Sequence, residues 1–285
     1  MPEIRIDPLS GRSVIVAPDR ADRPDEYGSS ADVPCVFCPG REAETPREVL
    51  RLPAPQGGWR ARVVPNKYPA LDGAHEVVIE TARHATSFGA LSVAEVADVL
   101  GLWRDRLRAF GARFPYVVAF KNEGGAAGAS IEHVHSQVLA MPAVPPEAAA
   151  RAARFAAACP VCEDRSPERA VAEADGFAAR VPSAPRFAHE IRIAPLRHEA
   201  RFEDVADAAL PRLAALLAEA VARLSRLLDG PPYNVVVQTG PAPFHWHLEL
   251  LPRTSRPGGC EWGTGVFINT AAPEDSARRL REARP

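Results

Sequence analysis

The histidines constrain this chain more than any other feature, because all eight fall into a register that occurs twice. His75-Glu76 stands before Arg83-His84 at the interval that separates His189-Glu190 from Arg197-His198. Asn122 lies eleven residues before His133, and Asn234 lies eleven residues before His245. Each half opens on a Cys-x-x-Cys pair, Cys35/Cys38 and Cys159/Cys162, and closes on a His-x-His pair, His133/His135 and His245/His247. An internal repeat of about 110 to 120 residues accounts for this register and bounds the fold before any local reading. Each half places short strand-like segments around one long helical pattern. The predicted class is therefore α+β, two tandem units, each a mostly antiparallel sheet with a long helix, packed as a pseudo-twofold duplication. The predicted domains are 1–145 and 146–285.

Local signals fill in the plan. In the first half the sequence predicts strands at Ser13 to Ala17, Trp59 to Val64, Glu76 to Glu80, Tyr116 to Phe120 and Val138 to Met141. Ser92 with Glu95 three residues on is a capping signal for a helix running to about Phe110. In the second half strands are expected at Phe177 to Pro182, Glu190 to Ala194 and Asn234 to Gln238, with a helical pattern over Phe202 to Leu228.

Two cysteines from a tight knuckle, one His after a strand and the first His of a His-x-His pair make a Cys2His2 set in each half. Zinc favours four nitrogen or sulfur ligands in a tetrahedron, and a site without an open position is structural. The expected sets are Cys35, Cys38, His84 and His133 for a first Zn2+, and Cys159, Cys162, His198 and His245 for a second. Redox Cys-x-x-Cys chemistry is disfavoured, because the knuckles are not expected to open a helix. Cys260 is left over.

Zinc on His133 would leave His135 free. In an extended segment residues i and i+2 share a face, so His133, His135 and Gln137 are expected together, with Val134 and Ser136 opposite. A neutral imidazole with one nitrogen held by a hydrogen bond can attack a phosphoryl centre with the other. Gln137, the Ser130 hydroxyl and the backbone N–H groups of the small-residue tract from Gly124 to Ser130 can donate to the same anion. The second half has Glu249 in place of Gln137 and the bulky Pro241, Pro243 and Phe244 in place of the tract. A carboxylate there would repel phosphate, so His247 is expected to be non-nucleophilic and each chain to have one active site. Arg20 and Arg23 read from composition alone as solvated side chains.

At 285 residues the chain can bury a proper core, and a net charge of −2 argues against a dedicated nucleic-acid or membrane surface. The sequence has no run of about 18 apolar residues, and residues 1–8 lack a signal-peptide layout, so a cytoplasmic location is expected.

The run Asn122-x-Gly-x-Ala-Ala-Gly-x-Ser130-x-x-His-x-His-x-Gln137 resembles the signature of the galactose-1-phosphate uridylyltransferase family of the histidine-triad superfamily, and the likeness extends over nearly the whole chain. The resemblance implies histidine-triad-like units, zinc, and a nucleotidyltransferase of galactose and carbohydrate metabolism. It implies a ping-pong reaction in which a nucleoside diphosphate sugar such as UDP-glucose gives its nucleotidyl group to His135 and a hexose 1-phosphate then takes it. Arg20 and Arg23 look like the family's phosphate-side arm, Asn66 in Pro-Asn-Lys-Tyr-Pro resembles its ribose-holding segment, and Asn122, Gly128, Ser130 and Gln137 fall on its nucleotide-binding positions. Ser136, the second Cys2His2 set and Glu261 to Asn269 are more similar to the related ADP-glucose phosphorylases, which makes an ADP-sugar phosphorylase using phosphate as acceptor the alternative. A histidine-triad hydrolase and a non-catalytic nucleotide-binding or zinc-binding regulatory protein are the remaining rivals. No nucleic-acid or membrane partner is implied, and a homodimer stays open.

Overall fold

The computed structural model describes residues 2–23, 27, 28 and 34–284. They form two compact units, Met1–Lys121 with Ser130–Arg154, and Asn122–Ala129 with Phe155–Pro285.

In the first unit a small hairpin, β1 (Glu3–Ile6) and β2 (Ser13–Val16), precedes β3 (Leu50–Pro53), β4 (Trp59–Pro65), β5 (His75–Ile79), the helix α1 (Val93–Gly111), β6 (Tyr116–Glu123), β7 (His135–Met141) and α2 (Pro146–Ala153). The strands lie in the order β3-β4-β5-β7-β6, every pair antiparallel. Strand alternation sends two rows of side chains to opposite faces. One row, Val63, Val78, Ser136 and Lys121, lies on the α1 side, where the Trp103 indole N–H donates to Ser136 Oγ at 2.7 Å. The other row, Val64, Val77 and Gln137, faces away from α1, as does His135 across from Ile79.

α1 begins where the sequence places it. Ser92 Oγ accepts from the Glu95 N–H, and the Glu95 carboxylate accepts from the Ser92 N–H at 2.8 Å. Such a reciprocal cap satisfies two of the helix's orphan donors. The buried stripe Val96, Val99, Leu100, Trp103, Leu107 and Phe110 repeats at helical spacing and packs on β4, β5 and β7. Each such side chain contributes roughly 1.5–3 kcal/mol by leaving water.

The second unit contains α3 (Pro160–Glu163), β8 (Ala170–Ala174), β9 (Phe177–Arg180), β10 (Ile191–Pro195), α4 (Leu210–Leu228), β11 (Tyr233–Gln238), β12 (His247–Pro252), α5 (Gly259–Thr264) and α6 (Pro273–Glu282). Its strands lie in the order β11-β12-β10-β9-β8, again antiparallel, and α4 packs on β8, β9 and α6. The chain is thus α+β with antiparallel sheets and one 19-residue helix in each unit.

Three local expectations need correction. The helical pattern over Phe202 to Leu228 is one helix only from Leu210; before it Phe202–Asp204 and Asp207–Ala209 are short 3-10 turns, with Val205 and Ala206 extended between them. Pro211, which lacks an N–H, is tolerated only in the first turn, so the α-helix starts there. The second knuckle does open a helix, a single turn in which Cys159 Sγ accepts from the Cys162 N–H. β7 starts at His135, so His133 precedes the strand and its direction is not set by strand alternation. Among the described residues, no helix is long and apolar enough to cross a membrane.

Candidate active site and metal clusters

β7 begins on the residue that the chemistry requires to be a free imidazole. His135 Nδ1 lies 2.8 Å from the His133 carbonyl. A carbonyl only accepts, so Nδ1 carries the proton and Nε2 keeps its lone pair. Burial, opposed by that hydrogen bond and reinforced by the Lys121 charge, pushes the imidazole down to about 4, which keeps it neutral at pH 7. The ring sits edge-on against Phe37 at 5.4 Å between centroids. Lys121, fully buried, donates to the His135 carbonyl at 3.2 Å and to Glu80 at 2.8 Å, fixing the backbone where the strand starts.

Two residues on, Gln137 Oε1 lies 2.8 Å from His75 Nε2. The Ala70 N–H donates to His75 Nδ1 at 2.9 Å, so His75 holds its proton on Nε2 and donates it to Gln137. Burial pushes His75 down to about 4 as well, so this tautomer is neutral. With its carbonyl engaged, the Gln137 amide can present only its NH2 group. Asn66 joins the network: its Oδ1 accepts from the Tyr68 N–H at 2.9 Å, and its Nδ2 stands 3.5 Å from Gln137 Oε1.

Around these groups the first unit has a cleft lined by Arg23, Asn66, Ser130, His135 and Gln137 on its polar side and by Phe37, Val64, Val77 and Ile131 on its apolar side. Five of the residues singled out in the sequence therefore meet in one place. Arg20 does not line the cleft; its guanidinium donates to the Tyr68 carbonyl and ties the N-terminal arm to the loop that carries Asn66. Asn122 and Gly128 fall in the second unit. There the Asn122 amide donates to the Gly128 carbonyl at 3.3 Å, and Asn234 donates to Asn122 Oδ1 and to the Ala127 carbonyl, both at 2.9 Å. Gly124 has φ 85°, and a Cβ on it would meet Pro232 at 3.0 Å, so this end of the tract requires glycine. Two members of the network, His75 and Lys121, had no site role in the sequence reading; His75's place in the nine-residue register with His84 was the only signal.

The eight predicted ligands form two clusters, Cys35, Cys38, His84 and His133, and Cys159, Cys162, His198 and His245, with donor atoms all within 4.8 Å of one another in each. In the first, Cys35 and Cys38 Sγ lie 3.6 and 3.7 Å from His133 Nδ1, and Cys38 Sγ lies 3.3 Å from His84 Nδ1. In the second, the corresponding sulfur–nitrogen distances run from 3.3 to 3.7 Å. A zinc tetrahedron with ordinary Zn–S and Zn–N bonds has S···N edges of about 3.6 Å. The second nitrogens fit too: His133 Nε2 donates to the Thr81 carbonyl at 2.9 Å and His245 Nε2 to the Pro195 carbonyl at 3.1 Å, which turns Nδ1 toward the sulfurs as a lone pair. Burial pushes both imidazoles down to about 4 and the Cys35 thiol up to about 11. A divalent cation would reverse the thiol's preference, since it binds the thiolate. Both clusters can hold a metal ion, in keeping with zinc.

Residues 65–145 match the family model described as galactose-1-phosphate uridyl transferase, N-terminal domain. Over 99% of this chain and 93% of the relative, the sequence is 33% identical to an ADP-glucose phosphorylase of Arabidopsis thaliana. It is 28% identical to a galactose-1-phosphate uridylyltransferase of Thermotoga maritima over 99% of this chain and 98% of that one. The crystal structure of the Arabidopsis thaliana ADP-glucose phosphorylase with bound ADP-glucose superposes with a TM-score of 0.82 over 99% of each chain, at 33% identity. A uridylyltransferase structure superposes at 0.83 over 99% of this chain and 98% of its own, at 25% identity.

Proposed function

Since the chain belongs to the galactose-1-phosphate uridylyltransferase family and is a nucleotidyltransferase by that membership, we propose that it carries a nucleotidyl group from a nucleoside diphosphate sugar to a phosphate acceptor through a covalent bond to His135. The observation that carries this reading is the tautomer of His135: its Nδ1 proton is held by the His133 carbonyl, and its Nε2 lone pair is available in the cleft.

In the first half-reaction Nε2 attacks the α-phosphorus. A P–N bond forms, the bond from phosphorus to the bridging oxygen breaks, and the sugar 1-phosphate leaves with that electron pair. The ring becomes cationic, and its Nδ1–H stays on the His133 carbonyl, which stabilises the positive charge. The Gln137 NH2 group donates to a non-bridging oxygen as charge builds there; one such donor is typically worth about 3 kcal/mol in the transition state. Arg23 and Ser130 complete the anion's surroundings, and the wall of Phe37, Val64, Val77 and Ile131 takes the base. In the second half-reaction an acceptor phosphate oxygen attacks phosphorus, the P–N bond breaks, and neutral His135 is restored. The Cys2His2 clusters would hold zinc with no open position, and a bound ion there would fix the knuckle and the turn before β7.

Two donor–acceptor pairs suit this site. One is UDP-glucose with a hexose 1-phosphate. The other is an ADP-sugar with inorganic phosphate, which the 33% identity to an ADP-glucose phosphorylase favours. Incubation with α-32P-labelled UDP-glucose and ADP-glucose should leave acid-labile label on the chain with one of them. The label should leave again on adding the matching acceptor. His135→Asn should retain no label and less than about 10⁻⁴ of the transfer rate, the scale on which loss of a covalent nucleophile is felt. Full transfer by that variant would overturn the proposal.

A further inference from the structure

The second unit has a cleft over β9 and β10 beside its Cys2His2 cluster, and its walls differ in charge from those of the first unit's cleft. In the first sheet the cross-strand row is Val64, Val77 and Gln137. The same row in the second sheet is Arg180, Arg192 and Glu249. Two apolar wall residues have become arginines that stand directly opposite one another on β9 and β10, an arrangement that destabilises a sheet unless a counter-charge lies between the pair.

The carboxylates nearby do not supply it in full. Arg180, Arg192 and Arg165 line the cleft together with Asp164 and Glu173. Glu173 takes Arg180 at 2.6 Å. Asp164 pairs with Arg169, outside the lining, and lies 3.7 Å from Arg192. Glu249, opposite Arg192 on the other side, is engaged by Arg186 at 3.0 Å and by Gln238 at 3.1 Å. The Nε–H of Arg192 is buried with no hydrogen-bond partner. Arg165 is held in place by the carbonyls of Cys162 at 2.9 Å and Leu196 at 3.1 Å. A buried donor without a partner beside two further guanidinium groups marks an excess of donors over acceptors, and guanidinium forks match phosphate oxygens in geometry and charge.

We propose that this cleft is a second, non-catalytic site for a small phosphate dianion, bound by Arg165, Arg180 and Arg192. The dianion would lie between the opposed arginines and accept from their guanidinium groups. Free phosphate and the phosphoryl group of a sugar 1-phosphate share this chemistry.

Isothermal titration of the zinc-loaded full chain with inorganic phosphate, and separately with glucose 1-phosphate, tests the site. Arg192→Gln should weaken one class of phosphate binding on the order of 10-fold or more, as loss of charge-assisted hydrogen bonds does, while Arg23→Gln leaves that class unchanged. Glu173→Gln, which frees Arg180, should tighten the same class. Opposite shifts in the two variants are not produced by general loss of structure. The anion bound more tightly in an Arg192-dependent way names the source. Equal stoichiometry and affinity in wild type and Arg192→Gln, or weakening in both Arg192→Gln and Glu173→Gln, would overturn the proposal.

Discussion

β7 and β12 open alike and diverge two residues later. In both, the first histidine of the strand gives its Nδ1 proton to the carbonyl two residues before it, at 2.8 Å for His135 and 2.9 Å for His247. Both therefore keep a lone pair on Nε2. In β7 the next residue on that face is Gln137, whose carbonyl is occupied by His75. In β12 it is Glu249, which puts a carboxylate oxygen 3.9 Å from His247 Nε2 and is itself bound by Arg186. Phe37 meets His135 edge-on, whereas Phe244 stacks on His247 with 17° between the rings. The two strands therefore hold the imidazole alike and differ in what surrounds Nε2. On the proposed function, the group two residues downstream sets whether an incoming phosphate meets the Gln137 amide or the Glu249 carboxylate.

The largest test of the comparison removes a metal ligand from each unit. Apparent binding free energies of structural zinc reach about 10–16 kcal/mol in small domains, so Cys38→Ser and Cys162→Ser should each lower bound zinc and the unfolding midpoint together. Only Cys38→Ser should abolish formation of the nucleotidyl-enzyme, because its cluster contains His133, whose carbonyl holds His135. Zinc content by elemental analysis, thermal unfolding and label incorporation separate the two. If both variants lose transfer equally at a temperature where both stay folded, the units do not divide the work as described.

Much of this was legible in the chain. The histidine register together with the two Cys-x-x-Cys pairs named the eight residues, four cysteines and four histidines, that the structure gathers into two clusters, and the Ser92/Glu95 spacing placed the start of α1. Alternation also marked β4, and apolar runs marked β6 and the latter part of β7, because strands in the middle of a sheet are buried on both faces. The missing parts depend on contacts far apart in sequence. His75 meets Gln137 across 62 residues, and no local pattern marks that pairing. Arg20 and Arg23 look equivalent in the sequence, yet only Arg23 lines the cleft. Identical nine-residue spacings from His75 to His84 and from His189 to His198 also conceal a shift. Val77 lies opposite Gln137, but Arg192, and not the equally spaced Ile191, lies opposite Glu249. His189, at φ 67°, marks where the second backbone departs.

Importing the second unit's residue into the first gives the next effect in size. Gln137→Glu removes a donor and adds a negative charge beside the nucleophile. Loss of the donor alone, as in Gln137→Ala, should cost about 10²–10³ in kcat with KM little changed. The carboxylate should cost more than that, in both kcat and KM. The reciprocal Glu249→Gln should leave transfer at the wild-type rate, because His247 stays under Phe244. Rapid-quench measurement of the first half-reaction checks all three. Equal rates for Gln137→Glu and Gln137→Ala would show that charge at this position is not what separates the two strands.

The smallest effect concerns the histidine that holds Gln137. His75 has a folded pKa of about 4 against 6.5 for an unperturbed imidazole, because burial disfavours its charged form. Between those two values the unfolded chain binds a proton at this position and the folded chain does not, so unfolding is favoured as pH falls from 6.5 toward 4, and the effect levels off below 4. Its full size is on the order of 3 kcal/mol. His75→Phe, which removes this one titration and keeps an aromatic ring, should make this part of the stability profile shallower, with His135 still contributing to it, while lowering transfer about 10-fold, because Gln137 loses the donor that orients its amide. His189 is its counterpart in register in the second unit. Burial lowers its pKa too, but its Nδ1 has no partner and it orients no residue of the cleft, so His189→Phe should leave transfer unchanged. Chemical denaturation at pH 4.5, 5.5 and 7 for both variants, with transfer assayed at pH 7, isolates the contribution. Retention of the full transfer rate by His75→Phe would mean that Gln137 is oriented by Asn66 alone, and the first unit's distinctive pairing would then lie between those two amides.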